Sequence, residues 1–342
     1  MENEREALAA LAARVERELL ATTRLPRYRA QVLRGTPAEQ TDWGVRLIGA
    51  PDVWKLTRGE GVSVAVLDTG SSPDHPDLAA AFIRRAGKIA GANFTSAKSS
   101  DVIDRQDHGT HCSGVIAAAK NGRGVIGVAP QAKIVPVKIL GDDGGGELDW
   151  LVQGIRWCIA NAKRHNIRVL SMSLGAPVGA PALKDALAAA KKAGLIAVCA
   201  AGNEGNASDL GYPAHYAADG LCLAVGAVRT DRHITDFSNT GRGMTRMGLV
   251  APGFEVLSTI TRGRYARFSG TSMAAPHIAG VLALAIAKHA RYGGKTPLTN
   301  LDQAYEHCRR FTVDLGGRGR DRIYGLGLPV LTAENMRILG VR

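Results

Sequence analysis

Four stretches of the chain carry side chains suited to nucleophilic chemistry, each beside a glycine-rich turn. In Phe268-Ser-Gly-Thr-Ser-Met-Ala-Ala-Pro-His277 one hydroxyl, Ser272, stands just before the apolar helical run 278–287. A helix start offers N–H groups without helical partners and the positive end of the dipole, so developing negative charge is favoured there. Pro276 does not spoil this, because a first-turn proline lacks only an N–H that would have no helical partner. Asp68 ends an apolar run at Asp68-Thr-Gly70, and Asp107-His-Gly-Thr-His-Cys-Ser-Gly114 supplies His108. Ala200-Ala-Gly-Asn-Glu-Gly205 supplies one amide, Asn203. Attack of a serine on a carbonyl needs a base, a carboxylate to orient the imidazolium, and donors for the oxyanion. Asp68, His108, Asn203 and Ser272 fill those four roles, and acid–histidine–serine is one of the chain orders that builds such a triad. Taken singly, each stretch is ambiguous. Ser272 reads as a helix cap, Asp68 as an acid of a nucleotide or metal site, and His108 with His111 as an i,i+3 metal pair. The metal reading lacks the glutamate of an H-E-x-x-H motif.

The elements that would position these groups alternate. Runs 62–67, 134–140, 167–172, 195–199 and 221–225 are short, apolar and rich in β-branched residues, and 148–165 and 181–193 carry helical spacing between them. This pattern predicts a three-layer α/β/α fold with a central, mostly parallel, doubly wound sheet. In such sheets ligands and chemistry collect at the carboxyl ends of the strands. With 342 residues, 45% of them hydrophobic, the chain can bury a large core. Residues 1–40 read as a separate extension: an amphipathic helix over 7–20, an extended Leu25-Pro-Arg-Tyr28, and a Gly35-Thr-Pro37 linker. Residues 41–342 form the main domain. Five cysteines (112, 158, 199, 222, 308), odd in number and without a C-x-x-C pair, indicate neither disulfides nor a zinc ribbon. The N-terminus lacks a secretory pattern, and no run approaches the ~18 apolar residues of a membrane span. The expected location is therefore the bacterial cytoplasm. The net charge of +12 is spread along the chain, apart from 316–322, and lacks the clustering with aromatics that nucleic-acid binding needs.

The motifs Asp68-Thr-Gly, His108-Gly-Thr-His, Ala201-Gly-Asn-Glu-Gly and Gly270-Thr-Ser-Met-Ala-Ala-Pro-His resemble those of the subtilisin-like serine proteases, over roughly residues 42–333. Ala50-Pro-Asp-Val-Trp54, Val198-Cys-Ala-Ala-Gly-Asn-Glu-Gly205 and Leu331-Thr-Ala333 are similar to the bacterial intracellular branch. The resemblance implies a serine endopeptidase of broad specificity with Ser272 as nucleophile, His108 as general base and acid, and Asp68 as its orienting partner. Asn203 and the Ser272 N–H would hold the oxyanion, and His111 would be structural. The groove edges would be Gly144, Gly145 and Gly146 on one side and Ser173, Leu174 and Gly175 on the other. Ala201, Gly202 and Gly211 would wall the P1 pocket, with Glu204 at its rim biasing toward Lys or Arg. Cys112, four residues after His108, resembles the thiol-containing branch, where mercurials would displace the histidine. The resemblance also implies a structural Ca²⁺ held by Asp77, Asn121 and the carbonyls of Ala119, Arg123 and Val125, with Gln40 as a further ligand. Leu25, Pro26, Arg27 and Tyr28 stand where that branch carries an inhibitory segment, so the resemblance implies a zymogen held by them, although the proline is shifted and Arg27 is inserted. Expected partners are polypeptide substrates, with a homodimer left open and neither a membrane nor nucleic acid expected. The competing readings are a catalytically silent scaffold of the same fold, a basic nucleic-acid-associated protein, and a transpeptidase.

Overall fold

In the computed structural model, which describes residues 22–25, 28–96, 98–292 and 298–338, the apolar runs become parallel strands. Along the chain come β1 (Thr23–Arg24), β2 (Arg29–Val32), β3 (Ser63–Asp68) and β4 (Ala92–Asn93). Helix α1 (His108–Ala117), β5 (Lys133–Lys138), β6 (Gly145–Gly146), α2 (Leu148–His165) and β7 (Ile167–Met172) follow. Next are α3 (Pro181–Lys192), β8 (Ile196–Ala200), β9 (Leu223–Val228) and β10 (Gly248–Pro252). The hairpin β11 (Val256–Ile260) and β12 (Arg264–Ser269) then leads into α4 (Thr271–Tyr292).

Seven strands make one sheet in the order β10-β9-β8-β7-β3-β5-β4, every pair parallel. Strand β3 is buried at all six positions, as a central parallel strand must be when helices cover both faces. Helices α1 and α4 pack together on one face, and α2 and α3 together on the other. This is the three-layer arrangement expected. Helix α2 keeps its expected bounds because its stripe of Leu148, Leu151, Val152, Ile155 and Cys158 faces the sheet while Lys163 and Arg164 complement its C-terminal dipole. Helix α4 is long and apolar enough to cross a membrane by composition, contrary to the sequence expectation, but 89% of its apolar stretch is buried inside the domain. Its apolar length is that of a core helix.

The extension differs from the separate piece expected. The amphipathic run 7–20 and residues Pro26 and Arg27 lie outside the described residues. Strand β2, however, adds antiparallel to β12, pairing Phe268 with Ala30 and Ser269 with Arg29. Beyond it, Gln40 and Thr41 pair in parallel with Val125 and Ile126. The chain before residue 41 is therefore hydrogen-bonded to the body on both sides of the linker.

Candidate active site

Asp68 is the last residue of β3 and His108 the first of α1, and both are fully buried. His108 Nδ1 lies 2.9 Å from Asp68 Oδ1 and 3.0 Å from Oδ2. Oδ1 also accepts from the Thr69 N–H at 2.7 Å. The carboxylate therefore fixes the imidazole through Nδ1 and leaves Nε2 unengaged. Burial alone would push the His108 pKa down, but the Asp68 carboxylate, with Cys112 next, holds it well above the ordinary imidazole value. Cys112 Sγ lies 3.9 Å from His108 Nδ1 and donates to the Ser272 carbonyl at 3.5 Å. Asp68, His108 and Cys112 are the one cluster among the described residues whose ligand atoms all approach within 4.8 Å.

A buried acid that motif reading passed over holds the two elements together. Asp104 Oδ1 accepts from Thr69 Oγ1 (2.9 Å), the Gln106 N–H (2.8 Å) and the Asp107 N–H (3.2 Å). Its Oδ2 accepts from the N–H and hydroxyl of Thr110, at 2.9 and 2.6 Å. Thr69 Oγ1 in turn accepts from the Gly109 N–H at 3.0 Å. The end of β3 is thereby tied to the first turn of α1, which sets the Asp68–His108 distance. Its one sequence signal is an Asp two to six residues before the amides that it caps.

Ser272 follows β12 at the start of α4 and is fully buried. Its Oγ donates to the Ser173 carbonyl at 3.2 Å, while Ser173 Oγ donates to the Ser272 carbonyl at 2.8 Å. His108 Nε2 is buried with no hydrogen-bond partner. The expected serine–histidine contact is thus replaced by a serine turned toward Ser173, a rotation about one side-chain bond. Catalytic contacts often close only with substrate bound. Asn203 is aimed from behind: its Oδ1 accepts from the Thr271 N–H at 2.9 Å and the Thr271 hydroxyl at 2.8 Å. The amide nitrogen then lies over Gly270, 3.0 Å from where a Cβ would stand. Any side chain at 270 would crowd it.

His111 is structural, as expected. Its Nε2–H faces the carbonyls of Val256 (3.0 Å) and Ala266 (3.2 Å), and its ring stacks on Phe268 at 4.3 Å. Burial, then the neighbouring His108, pushes its pKa down to about 3, so it stays neutral.

The two edges expected to form a groove pair with the chain itself. Thr23 and Arg24 pair with Gly146 and Gly145. The Arg24 N–H donates to the Gly175 carbonyl (3.1 Å), the Gly175 N–H to the Arg24 carbonyl (3.2 Å), and the Leu25 N–H to the Gly144 carbonyl (3.0 Å). Glycine is needed here. A Cβ at 146 would meet Thr23 Oγ1 at 2.9 Å, and one at 144, where φ is +78°, would meet Leu25 Cδ1 at 3.0 Å. Tyr28 closes the site, its ring 5.1 Å from that of His108 and 4.8 Å from that of Phe268, with Gln106 Nε2 donating to its hydroxyl at 3.0 Å. Leu174, named for the groove, buries its side chain in the core and offers only backbone. Ala201 is likewise buried, and its carbonyl accepts from the Gly211 N–H at 3.0 Å. Gly202, Glu204 and Gly211 line a cavity of about 530 Å³ together with Asp209, Tyr212 and Asn239. Glu204 Oε2 accepts from Asn239 Nδ2 at 2.6 Å.

The expected metal ligands converge in part. Asp77, fully buried, accepts at Oδ1 from Asn121 Nδ2 (3.2 Å) and at Oδ2 from the Val125 N–H (2.9 Å) and the Tyr265 hydroxyl (3.0 Å). Its carbonyl accepts from the Ala119 N–H at 2.8 Å. Gln40 reaches this loop through its N–H on the Gly124 carbonyl at 2.9 Å, and Arg123 is an exposed residue of the same loop.

This geometry has close counterparts. An intracellular serine protease of Paenibacillus polymyxa is 43% identical over 297 residues, 85% of either chain. The major intracellular serine protease of Bacillus subtilis is 41% identical over 250 residues, 70% of this chain and 73% of the relative. Subtilisin E of the same organism is 39% identical over 256 residues, 74% of this chain and 62% of the relative. Residues 59–327 match the subtilase family, and with the buried acid–histidine pair standing beside a serine at a helix start, the chain belongs to that family and is a serine endopeptidase.

Proposed function

We propose that Asp68, His108 and Ser272 carry out peptide hydrolysis through an acyl-enzyme. Ser272 Oγ rotates from the Ser173 carbonyl to His108 Nε2, loses its proton there and attacks the scissile carbonyl. Asp68 keeps the Nδ1 proton in place and stabilises the imidazolium. Asn203 Nδ2 and the Ser272 N–H receive the oxyanion at the positive end of α4. His108 then gives its proton to the leaving amine, and water repeats the sequence on the ester. The observation that carries this reading is the buried Asp68–His108 pair, bonded at 2.9 and 3.0 Å and locked by Asp104. Fluorophosphonate labelling of the chain, lost in Ser272→Ala, tests it. An equal label in Ser272→Ala would sink it.

Substrates are flexible polypeptide segments that add as a strand between Gly144–Gly146 and Ser173–Gly175. Because residues 23–25 make those same backbone bonds, the chain carrying them is a self-inhibited zymogen, and Thr23, Leu25 and Tyr28 are its anchors. The organism places the enzyme inside the cell, as the names of the two intracellular relatives suggest.

A structural Ca²⁺ belongs in the Asp77 loop. One carboxylate, one amide and loop carbonyls are the hard oxygen set that Ca²⁺ takes. Reversing the Asn121 amide presents its oxygen beside Asp77 Oδ1. The ion would neutralise the Asp77 charge and brace residues 119–125 against 37–41.

A further inference from the structure

Helix α4 carries, near its C-terminal end, a buried cation that catalysis does not use. Lys288 follows Ala285, Ile286 and Ala287, all buried, and is itself only 4% exposed. Its Nζ is buried with no hydrogen-bond partner. The helix dipole favours cations at this end, but the ammonium bonds none of the last carbonyls. Downstream, residues Leu301–Arg309 form helix α5. Its His307 is 5% exposed, and Nε2 is likewise buried without a partner. No carboxylate acts on these groups. Burial pushes the Lys288 and Arg168 pKa values down, and burial with Lys288 and Arg168 does the same to His289. Burial, then Arg310, Lys288 and His289, pushes His307 down to about 4. Lys288 and His289 of α4, His307 of α5 and Arg168 of β7 thus share one region without a counter-charge among the described residues. An ammonium taken out of water with neither acceptor nor counter-charge is strongly disfavoured, and an apolar side chain would fill the same space.

We propose that Lys288 and His307 bind a phosphate group, with His289 and Arg168 adding positive charge around it. Two buried donors on two helices lack both an acceptor and a negative charge, and a tetrahedral oxyanion supplies both. Its oxygens accept in several directions, so one ion takes the Lys288 ammonium and the His307 Nε2–H together. The bound charge also keeps Lys288 protonated where burial works against it. The side chains bordering the pair are more open, His289 half-buried and Arg310 exposed, and their charge draws an anion in from solvent. The ion ties the end of α4 to α5. It braces the helix at the end opposite Ser272 and takes no part in the chemistry there.

The test uses the full-length chain with Ser272→Ala, which prevents self-cleavage, at constant ionic strength and constant free Ca²⁺. Its melting temperature is followed in chloride, in inorganic phosphate and in AMP, and calorimetry reads the dissociation constant. At about 100 times that constant, phosphate should raise the melting temperature by several degrees over chloride. Lys288→Met, close in shape and without the charge, should weaken phosphate binding by at least about 10-fold, as loss of a charge-assisted hydrogen bond predicts. His307→Phe, which keeps a ring against Phe311 and removes the donor, should weaken it by a similar factor, and it carries the test should Lys288→Met fail to fold. A rise with phosphate and none with AMP supports a site for the free ion. A rise with both supports one that also takes the phosphoryl group of a nucleotide. A melting temperature no higher in phosphate than in chloride overturns the proposal, as does a phosphate response that Lys288→Met and His307→Phe both keep in full.

Discussion

Replacing Tyr28 with alanine should switch on the full-length chain. The ring is half-buried against His108 and Phe268, at 5.1 and 4.8 Å, and its hydroxyl accepts from Gln106 at 3.0 Å. Half the area of a buried tyrosine is about 100 Å², worth about 2.5 kcal/mol at ~25 cal/mol per Å². The Gln106 bond adds about 1 kcal/mol. Side-chain entropy regained on release offsets about 1 kcal/mol of this sum. A net loss of about 2–2.5 kcal/mol lowers the closed-to-open ratio roughly 30- to 70-fold at 1.36 kcal/mol per decade. The backbone bonds of Arg24 and Leu25 and the β2 strand remain, so the segment is loosened and stays attached.

An intramolecular plug competes with substrate. The apparent KM of the full chain should therefore fall by about that factor while kcat at saturation stays the same. Initial rates on a short chromogenic peptide, taken before any self-cleavage and with Ser272→Ala as the blank, read both constants. Initial rates within twofold of the parent chain would refute the plug. A rise in kcat with KM unchanged would also refute it, because Tyr28 would then act on the His108 proton and not on access to the groove.

Three further outcomes follow from the geometry. Because the folded pKa of His108 is raised, its pairing with Asp68 stabilises the fold below the ordinary value of 6.5 and that stabilisation is lost as pH rises through the folded value; turnover runs the other way, since the base must be neutral, so the acid limb of kcat/KM should have its midpoint above 6.5, and Asp68→Asn should lower both that midpoint and, by roughly 10⁴, kcat. Asn203→Ala should cost ~10²–10³ in kcat with little change in KM, and Thr271→Val, which removes the 2.8 Å bond aiming that amide, about tenfold in the same direction; a KM effect without a kcat effect would place Asn203 in ground-state binding. Chelation should lower the melting temperature of the parent chain by several degrees, as a loss of about 1–2 kcal/mol predicts, and Asp77→Asn should melt lower and no longer respond to Ca²⁺ in a thermal-shift titration.

The proposed catalytic groups stand out in the sequence because each sits where secondary structure changes, and such junctions carry local signals. Asp68 ends an apolar strand, His108 and Ser272 open helices, and Asn203 lies between glycines. Strand ends were less legible. The run Ile134–Leu140 stops pairing at Lys138 because the N–H groups of Ile139 and Leu140 both turn to the Asp68 carbonyl, which no periodicity encodes. Asp104 was invisible because its five donors come from Thr69, Gln106, Asp107 and Thr110, which converge only in three dimensions. Strand β2 was missed for a different reason. Arg29, Ala30, Gln31 and Val32 are all exposed, so no alternation marks them, and only backbone bonds to β12 hold them in place.

That last point bears on how the proposed zymogen would hold itself inactive and still act on other chains. The bonds between residues 23–25 and the two glycine edges involve backbone alone, and any extended peptide can form them. They therefore cancel when inhibitor and substrate are compared. What does not cancel is the tether and the anchors. A segment covalently joined to the body through β2 presents itself at an effective concentration of the order of millimolar or more, and Thr23, Leu25 and Tyr28 add side-chain contacts that a passing peptide must match. A substrate well below that concentration loses the competition even if it binds the edges equally well. Cutting the chain anywhere between β2 and Gln40 removes the tether without touching the groove. Arg34 and Gly35 lie there, exposed, with open space around Gly35. Release is then governed by dilution, because the freed segment keeps only its anchors and the sequence-blind bonds that every substrate shares.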